Sequence, residues 1–574
     1  MNKKRYKNKR YQVRRITDIR DLVLSSAKLY TEDNAYLVKD RPGGEYRPIK
    51  FKQVKEDMNA LGTALIKKGL KGKKVAVIGE NRYEWILTYL AVCCGVGIIV
   101  PLEKELHPNQ IRELLQRAGA SAVVYSEKIE EPVSEAFDGV DTLDYLISMD
   151  SASHDDKKLS LKQLIIEGTE MLRSGERSYI DAEIDAEVMN MLLFTSGTTG
   201  TAKGVMLSHK NIVSNVMNMS MVVNVQGEIG LSVLPMHHTY EMTCFILTGM
   251  YQGCCIAICE GLKYILKNMV EARANIMLGV PLLFESMHKK VWKQAEKSGK
   301  ADKMRKAIAV SNKFRLYNTG IPKRIFKEIH DTLGGGMRVL ISGAAAIDPK
   351  VIENFCAMGF NMFQGYGMTE CSPIIAVNTD RYSKAASVGL PMPNTEIRII
   401  DQDEDGIGEI ICKSDSVMLG YYDNPEETAK VLRDGWLHTG DYGYFDQDGF
   451  LYITGRKKNV IVTKNGKNIF PEEAEFYLCK SDYISECMVY GLEDEENGET
   501  IVCADIFPDY DAIEESFGKI TEEKELRKIL KDAVEQANDQ MAQYKRIRRF
   551  DIRETEFEKT PTKKIKRYLA GHNK

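Results

Sequence analysis

The sequence predicts an α/β protein: a large N-terminal domain of parallel and mixed sheets packed with helices, followed by a small α+β C-terminal domain. Three observations carry that expectation. Short apolar runs alternate with longer amphipathic segments, the rhythm of βαβ units whose parallel sheets are covered by helices. The chain has 574 residues, more than one hydrophobic core can organise, because cores stop growing near about 250–300 residues. Beyond Gly455 the elements become shorter and more basic, ending in Lys and Arg clusters.

In chain order, residues 74–79 read as a strand ending in a turn, 82–94 as a helix, 97–100 as a second strand and 108–118 as a second helix. The same phase returns at 231–282 and 338–363, with no fixed period that would mark a solenoid. Two uncharged stretches, 85–102 and 242–259, are as long as a short membrane span. Gly95, Gly97 and Pro101 interrupt the first; Gly249 and Gly253 precede the β-prone run Ile256 to Ile258 in the second. Each therefore reads as a buried helix, a glycine turn and a buried strand.

Composition narrows the function classes. A hydrophobic share of 43%, a charged share of 28% and a net charge of −3 describe an ordinary globular chain with no sign of a nucleic-acid partner. Twelve cysteines occur without a CxxC pair, and Cys254, Cys255 and Cys259 lack the His or second Cys pair that a tetrahedral zinc site needs. Free thiols in a reducing cytoplasm are the expectation. The first fifteen residues hold eight Lys or Arg and no acid, but no apolar signal core follows. A solvated basic terminus is expected there, in preference to a tail leaning on an anionic membrane; peripheral membrane contact is the most it implies.

The chemistry becomes legible between residues 189 and 208. The apolar run 191–194 leads into TSGTTGTAKG, from Thr195 to Gly204, and a second apolar run follows. Four threonines, one serine, three glycines and a lysine on a strand-to-strand loop supply what a polyphosphate needs: exposed N–H groups, hydroxyl donors and a cation. Lys203 neither directly follows a glycine nor precedes Ser or Thr, so this is not a Walker A loop.

FTSGTTGTAKGVMLSH, from Phe194 to His209, resembles the most specific signature of the adenylate-forming superfamily of acyl-CoA synthetases, luciferases and peptide-synthetase adenylation domains. The likeness continues in order through LPMHH to His238, SGAAA from Ser342, GYGMTE from Gly365 to Glu370, WLHTGD to Asp441, GRKK from Gly455 to Lys458, and KTPTKKI from Lys559 to Ile565. It covers nearly the whole chain. LPMHHTYE, GVPLLFE from Gly279 and DGWLHTGD are most similar to the long-chain fatty-acid subgroup.

The resemblance implies an adenylate-forming domain at 1–454, a hinge at 455–458 centred on Lys458, and a mobile lid at 459–574. It places ATP on Thr195, Ser196, Gly197, Thr198, Thr199, Gly200 and Lys203, on Gly343, Ala344, Ala345, Gly365 and Tyr366, and on Asp441 and Arg456. Each assignment has a physical sense. Glu370 can reach a magnesium ion held by the phosphates, with Thr369 donating to the α-phosphate. Tyr366 offers an aromatic face to adenine, small side chains at 343–345 let a flat group approach the backbone, and Asp441 has two acceptors for ribose hydroxyls. His238 is implied near the substrate carboxylate, Lys564 as the lid lysine of adenylation, and Gly466 on the coenzyme A channel. Asn459 departs from the Asp or Glu usual after the hinge lysine. Phe245, Ile246 and Leu247 are candidate walls of an acyl tunnel or plain core. The expected ligands are a carboxylic acid, ATP, Mg2+ and coenzyme A. An acyl carrier protein is an alternative acceptor, for which the basic stretch Lys545 to Arg549 is compatible, and a medium-chain or aryl acid is an alternative substrate. A nucleotide-binding regulator without catalysis is the reading from a different class, disfavoured by Glu370, Asp441 and Lys564 together.

Overall fold

The computed structural model describes residues 10–137, 139–195, 202–317, 319–463, 467–493, 500–559 and 565–569. Two large, mostly parallel sheets form the N-terminal body. In the eight-stranded sheet, Lys74–Ile78 runs parallel to Ile98–Leu102 on one side and to Ala120–Tyr125 on the other. Met189–Thr195 lies beside Ile98–Leu102, and Lys203–Ser208 returns antiparallel against it. The nine-stranded sheet is centred on parallel Ile229–Ser232, Ile276–Gly279, Val339–Ser342 and Asn361–Gly367, with antiparallel Ile374–Val377 beyond. These central strands are buried on both faces, hence their continuous apolar runs.

Most expected elements are present, with shifts of physical origin. The helix expected at 108–118 is Pro108–Ala118, started by the His107 ring, which accepts from the Asn109 N–H at 3.4 Å, and stopped by left-handed Gly119. The helix expected at 82–94 ends at Ala91 and continues as a π turn, Val92–Val96. Arg20 Nε donates to the Cys94 carbonyl at 2.7 Å, satisfying an acceptor released where the helix ends. Both uncharged stretches fold as helix, glycine turn and strand. Among the described residues no helix is long and apolar enough to cross a membrane.

Two expectations need correction. The basic terminus is not solvated throughout, because the Tyr11 N–H donates to the Met221 carbonyl at 2.9 Å, its hydroxyl to Asp380 at 2.8 Å, and the Arg14 guanidinium lies 3.9 Å over the Tyr251 ring. Residues 11–14 thus belong to the fold; residues 1–9 lie outside the described ones. Residues 396–456, moreover, form a five-stranded antiparallel sheet that the βαβ rhythm did not announce, built on Gly408–Lys413, Trp436–Phe445 and Leu451–Arg456. Its long strand Trp436–Phe445 buries alternate side chains, with Leu437, Thr439 and Asp441 inward.

After the short turn Lys457–Asn459 comes the C-terminal unit. Ile484–Glu493 pairs antiparallel with Thr500–Pro508, to which Ile547–Ile552 runs parallel, and helices Pro471–Leu478 and Glu523–Asn538 cover one face.

Candidate active site

The phosphate-loop candidates sit where two strands meet. Thr195 ends one strand and Lys203 begins the next, directly paired across the hairpin. Ser196, Gly197, Thr198, Thr199 and Gly200 lie outside the described residues. Gly420–Tyr421 adds a further antiparallel strand on Lys203–Ser208, with Tyr421 opposite Val205. That register delivers a contact chain absent from the sequence reading. Lys203 Nζ lies 2.6 Å from Glu427 Oε2 and 4.9 Å over the Tyr421 ring; the Tyr421 hydroxyl donates to Glu370 Oε1 at 2.9 Å. Glu427 stands in the first turn of helix Pro425–Val431, whose cap Asn424 accepts from its N–H. Hydrogen bonds from Lys203 and Lys430 hold the Glu427 carboxyl at about 2. The GYYDNPEE run, from Gly420 to Glu427, carried the signal: an aromatic and a carboxylate flanking a Pro-initiated helix.

Glu370 lies in a single 3-10 turn, Thr369–Cys371, and the Met418 N–H holds its backbone carbonyl at 2.9 Å. Its Oε1 accepts from Tyr421, and the carboxylate is the expected cation ligand. No group of three or more His, Cys, Asp or Glu that could hold a metal occurs among the described residues. A divalent ion here would rest on one carboxylate and on substrate phosphates, an arrangement that fits magnesium.

A second cluster gathers Tyr366, Asp441 and Arg456. Asp441 and Arg456 are direct partners across Trp436–Phe445 and Leu451–Arg456. Arg456 Nε lies 2.8 Å from Asp441 Oδ1, and the Tyr366 hydroxyl donates to Asp441 Oδ2 at 2.5 Å. Burial works against the Arg456 charge, but the Asp441 carboxylate, with Tyr366, Glu370 and Glu472, outweighs it and raises the guanidinium. Both Asp441 oxygens are thus engaged by Arg456 and Tyr366.

The segment 343–345 corrects one expectation. The room left by the missing Cβ of Gly343 is filled, since a Cβ there would stand 2.7 Å from Tyr240 Cζ. Tyr240 packs against this edge and its hydroxyl donates to the Ile341 carbonyl at 3.2 Å. Ala344 takes a left-handed φ of 71°, and both it and Ala345 are exposed, leaving them open to a ligand. Gly365 is needed for packing: a Cβ would meet Val377 Cγ2 at 3.0 Å.

His238 precedes the turn Thr239–Glu241 and a π-helical segment, Met242–Leu247. Its ring lies 4.0 Å from that of His237, whose Nε2 is 3.6 Å from Glu103 Oε2. Glu241 is fully buried and receives the Ser232 hydroxyl; burial pushes its carboxyl up to about 8. It was missed because its one signal, an acid opening an uncharged run, resembles a helix start. Phe245 lines an apolar cavity of about 20 Å³ with Met219, Val223, Cys244, Leu278 and Ile341, room for one water, whereas Ile246 and Leu247 are buried outside that lining.

At the expected hinge, Asn459 Nδ2 donates to Glu472 Oε1 at 2.6 Å. Burial, then Arg456 and Arg567, pull the Lys458 ammonium down to about 8. Gly466 and Lys564 lie outside the described residues. The flanks of the latter are tied to the C-terminal sheet: Lys559 to Glu486, and Arg567 to Glu475 and, at 2.9 Å, to the Val489 carbonyl.

The candidate phosphate lysine, cation-ligating carboxylate and ribose aspartate thus come from three separate elements, the strand Lys203–Ser208, the turn Thr369–Cys371 and the strand Trp436–Phe445. A model of the AMP-binding enzyme family matches residues 25–422, and a model of the AMP-binding enzyme C-terminal domain matches residues 458–572. The chain belongs to the AMP-binding enzyme family. Among its relatives, long-chain-fatty-acid–CoA ligase 1 of Cavia porcellus is 29% identical, the match covering 92% of this chain and 81% of that protein. Long-chain-fatty-acid–CoA ligase FadD15 of Mycobacterium bovis is 26% identical, with 94% and 93% covered. Among solved structures, o-succinylbenzoate CoA synthetase (MenE) of Bacillus subtilis, in complex with the acyl-adenylate intermediate OSB-AMP, has a TM-score of 0.73 at 21% identity, covering 96% of this chain and 98% of that one. The anthranilate CoA ligase AuaEII, in complex with anthranoyl-AMP, gives 0.74 at 20%, covering 96% of each. At those identities the AMP-binding enzyme shares their fold.

Proposed function

We propose that this AMP-binding enzyme activates a carboxylic acid with ATP to an acyl-adenylate and pyrophosphate, and then transfers the acyl group to the thiol of coenzyme A, with a long-chain fatty acid as the acid. The observation that supports the reading is the Glu427–Lys203–Tyr421–Glu370 chain, in which the proposed phosphate cation and the proposed metal carboxylate both contact the segment 420–427.

In the first half-reaction a substrate carboxylate oxygen bonds to the α-phosphorus, the α–β bridging P–O bond breaks, and pyrophosphate leaves. Lys203 and the hydroxyls of Thr195, Ser196, Thr198 and Thr199 hold the leaving phosphates; Thr369 donates to the α-phosphate. Asp441, Tyr366 and Arg456 position the nucleoside, with Ala344 and Ala345 beside it, and His238 orients the acid. A magnesium ion on Glu370 and the phosphates would neutralise charge as it develops. Lys564 would neutralise the carboxylate and α-phosphate from the lid side. In the second, the lid at 459–574 turns about Lys458, withdrawing Lys564 and opening a thiol route past Gly466. The thiolate attacks the acyl carbon and AMP leaves. Little of this needs a protein nucleophile, so positioning and electrostatics supply the catalysis.

The names of the relatives support a long-chain acid. The cavity lined by Phe245 holds far less than an alkyl chain, so a chain entering there would require that wall to move. Coenzyme A is favoured over a carrier protein because part of the basic stretch proposed for docking is already engaged, Lys545 with Glu473 at 2.6 Å. One experiment tests the whole reading. Pyrophosphate release is measured with short-, medium- and long-chain and aryl acids, then thioester formation with coenzyme A or acyl carrier protein. The expected result is long-chain acid and coenzyme A. No acid-dependent AMP formation with any of them would refute the enzyme reading.

A further inference from the structure

We propose that the surface formed by helices Ala301–Phe314 and Gly320–Ile325 docks on an anionic lipid bilayer. Residues 303–327 hold eight Lys or Arg and no Asp or Glu, in a chain whose net charge is −3. A charge segregated this far against the average is a local field, not a by-product of composition.

The first helix presents its outer face at helical spacing. Lys303, Lys306, Val310, Lys313 and Phe314 fall on one side and are all exposed, while Met304, Ile308 and Ser311 face the core. The second repeats the pattern with Ile321, Arg324 and Ile325 outward and Pro322 inward. Val310, Phe314, Ile321 and Ile325 are 48%, 64%, 48% and 55% exposed, large apolar groups with water on them. Around them, Lys303, Lys306, Lys313, Arg315, Lys323 and Arg324 form no ion pair with any carboxylate among the described residues. Elsewhere on this surface such charges are spent: Lys300 pairs with Glu328 at 2.7 Å and Arg305 with Asp302 at 2.7 Å. The Lys313 ammonium lies 5.8 Å above the Phe314 ring, leaving the stem beside an apolar group and the charge outward.

Unspent cations interleaved with protruding aliphatic and aromatic groups fit one surface chemistry best. Phosphate headgroups meet the cations while the apolar side chains enter the acyl boundary, the geometry of an interfacial amphipathic helix. Nucleic acid would satisfy the cations but leave Val310, Ile321 and Ile325 without anything to stack on. A purely acidic protein surface would leave them in water. The inference does not depend on which acid the enzyme activates.

The test is binding of the full chain to phosphatidylcholine vesicles and to vesicles with about one-third phosphatidylglycerol, by co-sedimentation at low and high salt. Binding is expected to the anionic vesicles only, and to weaken with salt. Neutralising Lys306→Gln, Lys313→Gln and Arg324→Gln together should weaken it roughly a hundredfold. Phe314→Ser with Ile325→Ser should weaken it at least about tenfold at unchanged charge. Both variants should keep the thermal midpoint and pyrophosphate release with a water-soluble acid, so a folding defect is distinguishable. Equal binding to neutral vesicles, unaltered binding by both variants, loss of binding on removing residues 1–9 alone, or capture of an acidic soluble protein without vesicle binding would each overturn the proposal.

Discussion

Lys203 shows how a loop cation can be prepared for a phosphate that has not yet arrived. Its ammonium rests against Glu427 at 2.6 Å, so under the proposed reaction a polyphosphate would have to replace that carboxylate. A charged hydrogen bond contributes about 1.5–3 kcal/mol, so Lys203→Ala should lower kcat/KM for ATP by roughly ten- to a hundredfold. The acid concentration dependence at saturating ATP should barely change, and an unaltered ATP dependence would remove this lysine from the site. Glu241 is a different kind of residue, an acid held in the interior. Its folded carboxyl is pushed up to about 8 by burial, against about 4.3 in an unfolded chain. The fold therefore binds this proton more tightly than the unfolded chain does, and the stability so gained is complete below the unfolded value and lost as pH rises through the folded one. Relative to wild type, Glu241→Gln should gain thermal stability as pH climbs from about 4.3 towards about 8, and the difference should level off above that. A difference in melting midpoint that is flat across this window would show that the carboxyl is ionised throughout. Both residues stood in quoted motifs, yet only Lys203 was legible as functional, because a lysine among hydroxyls has one ready use whereas the burial of Glu241 is decided by strands far along the chain.

At the scale of elements, the strap from Gly420–Tyr421 through Pro425–Val431 couples the phosphate hairpin to the turn bearing Glu370. Tyr421→Phe removes one hydrogen bond to a charged group and leaves the ring under Lys203 in place. About 1.5 kcal/mol is at stake, so the magnesium concentration needed for half-maximal adenylation should rise roughly tenfold. The KM for the acid should stay unchanged, because the ring still packs. A uniform loss at all magnesium concentrations would instead mean that the hydroxyl holds the strap itself. Sequence periodicity could not reveal this strap, for its strand is only two residues long and owes its existence to pairing with Met206 and Val205. The antiparallel sheet at 396–456 was hidden for a related reason. Its long strand Trp436–Phe445 buries alternate side chains, and an inward Asp441 breaks the apolar phase of that strand. Helix Pro108–Ala118, by contrast, carried its own start and stop and was readable to the residue.

For the whole molecule, the question is whether one mobile domain serves one half-reaction. The turn Lys457–Asn459 joins a body that holds Lys203, Glu370 and Asp441 to a C-terminal unit in which Lys559 pairs with Glu486 and Arg567 with Glu475, on either side of Lys564 in the sequence. In this arrangement burial, and then the charges of Arg456 and Arg567, depress Lys458 to about 8. If Lys564 meets the substrates only when the lid is in its adenylating position, Lys564→Ala should impair acyl-adenylate formation and spare thioester formation from supplied acyl-adenylate. Two unit charges about 4 Å apart at an effective dielectric near 20 interact by roughly 4 kcal/mol, an upper guide to the loss. At about 1.4 kcal/mol per tenfold, adenylation should fall by up to about a thousandfold. Arg567→Ala separates reach from chemistry: it loosens the anchor without touching the reacting groups, so it should weaken adenylation less and leave the second half-reaction unaltered. Rapid-quench measurement of each half-reaction decides the matter. Equal losses in both for Lys564→Ala, or none in either, would mean that the lysine is one more solvated charge in the basic C-terminal run and that the lid carries no residue dedicated to the first step.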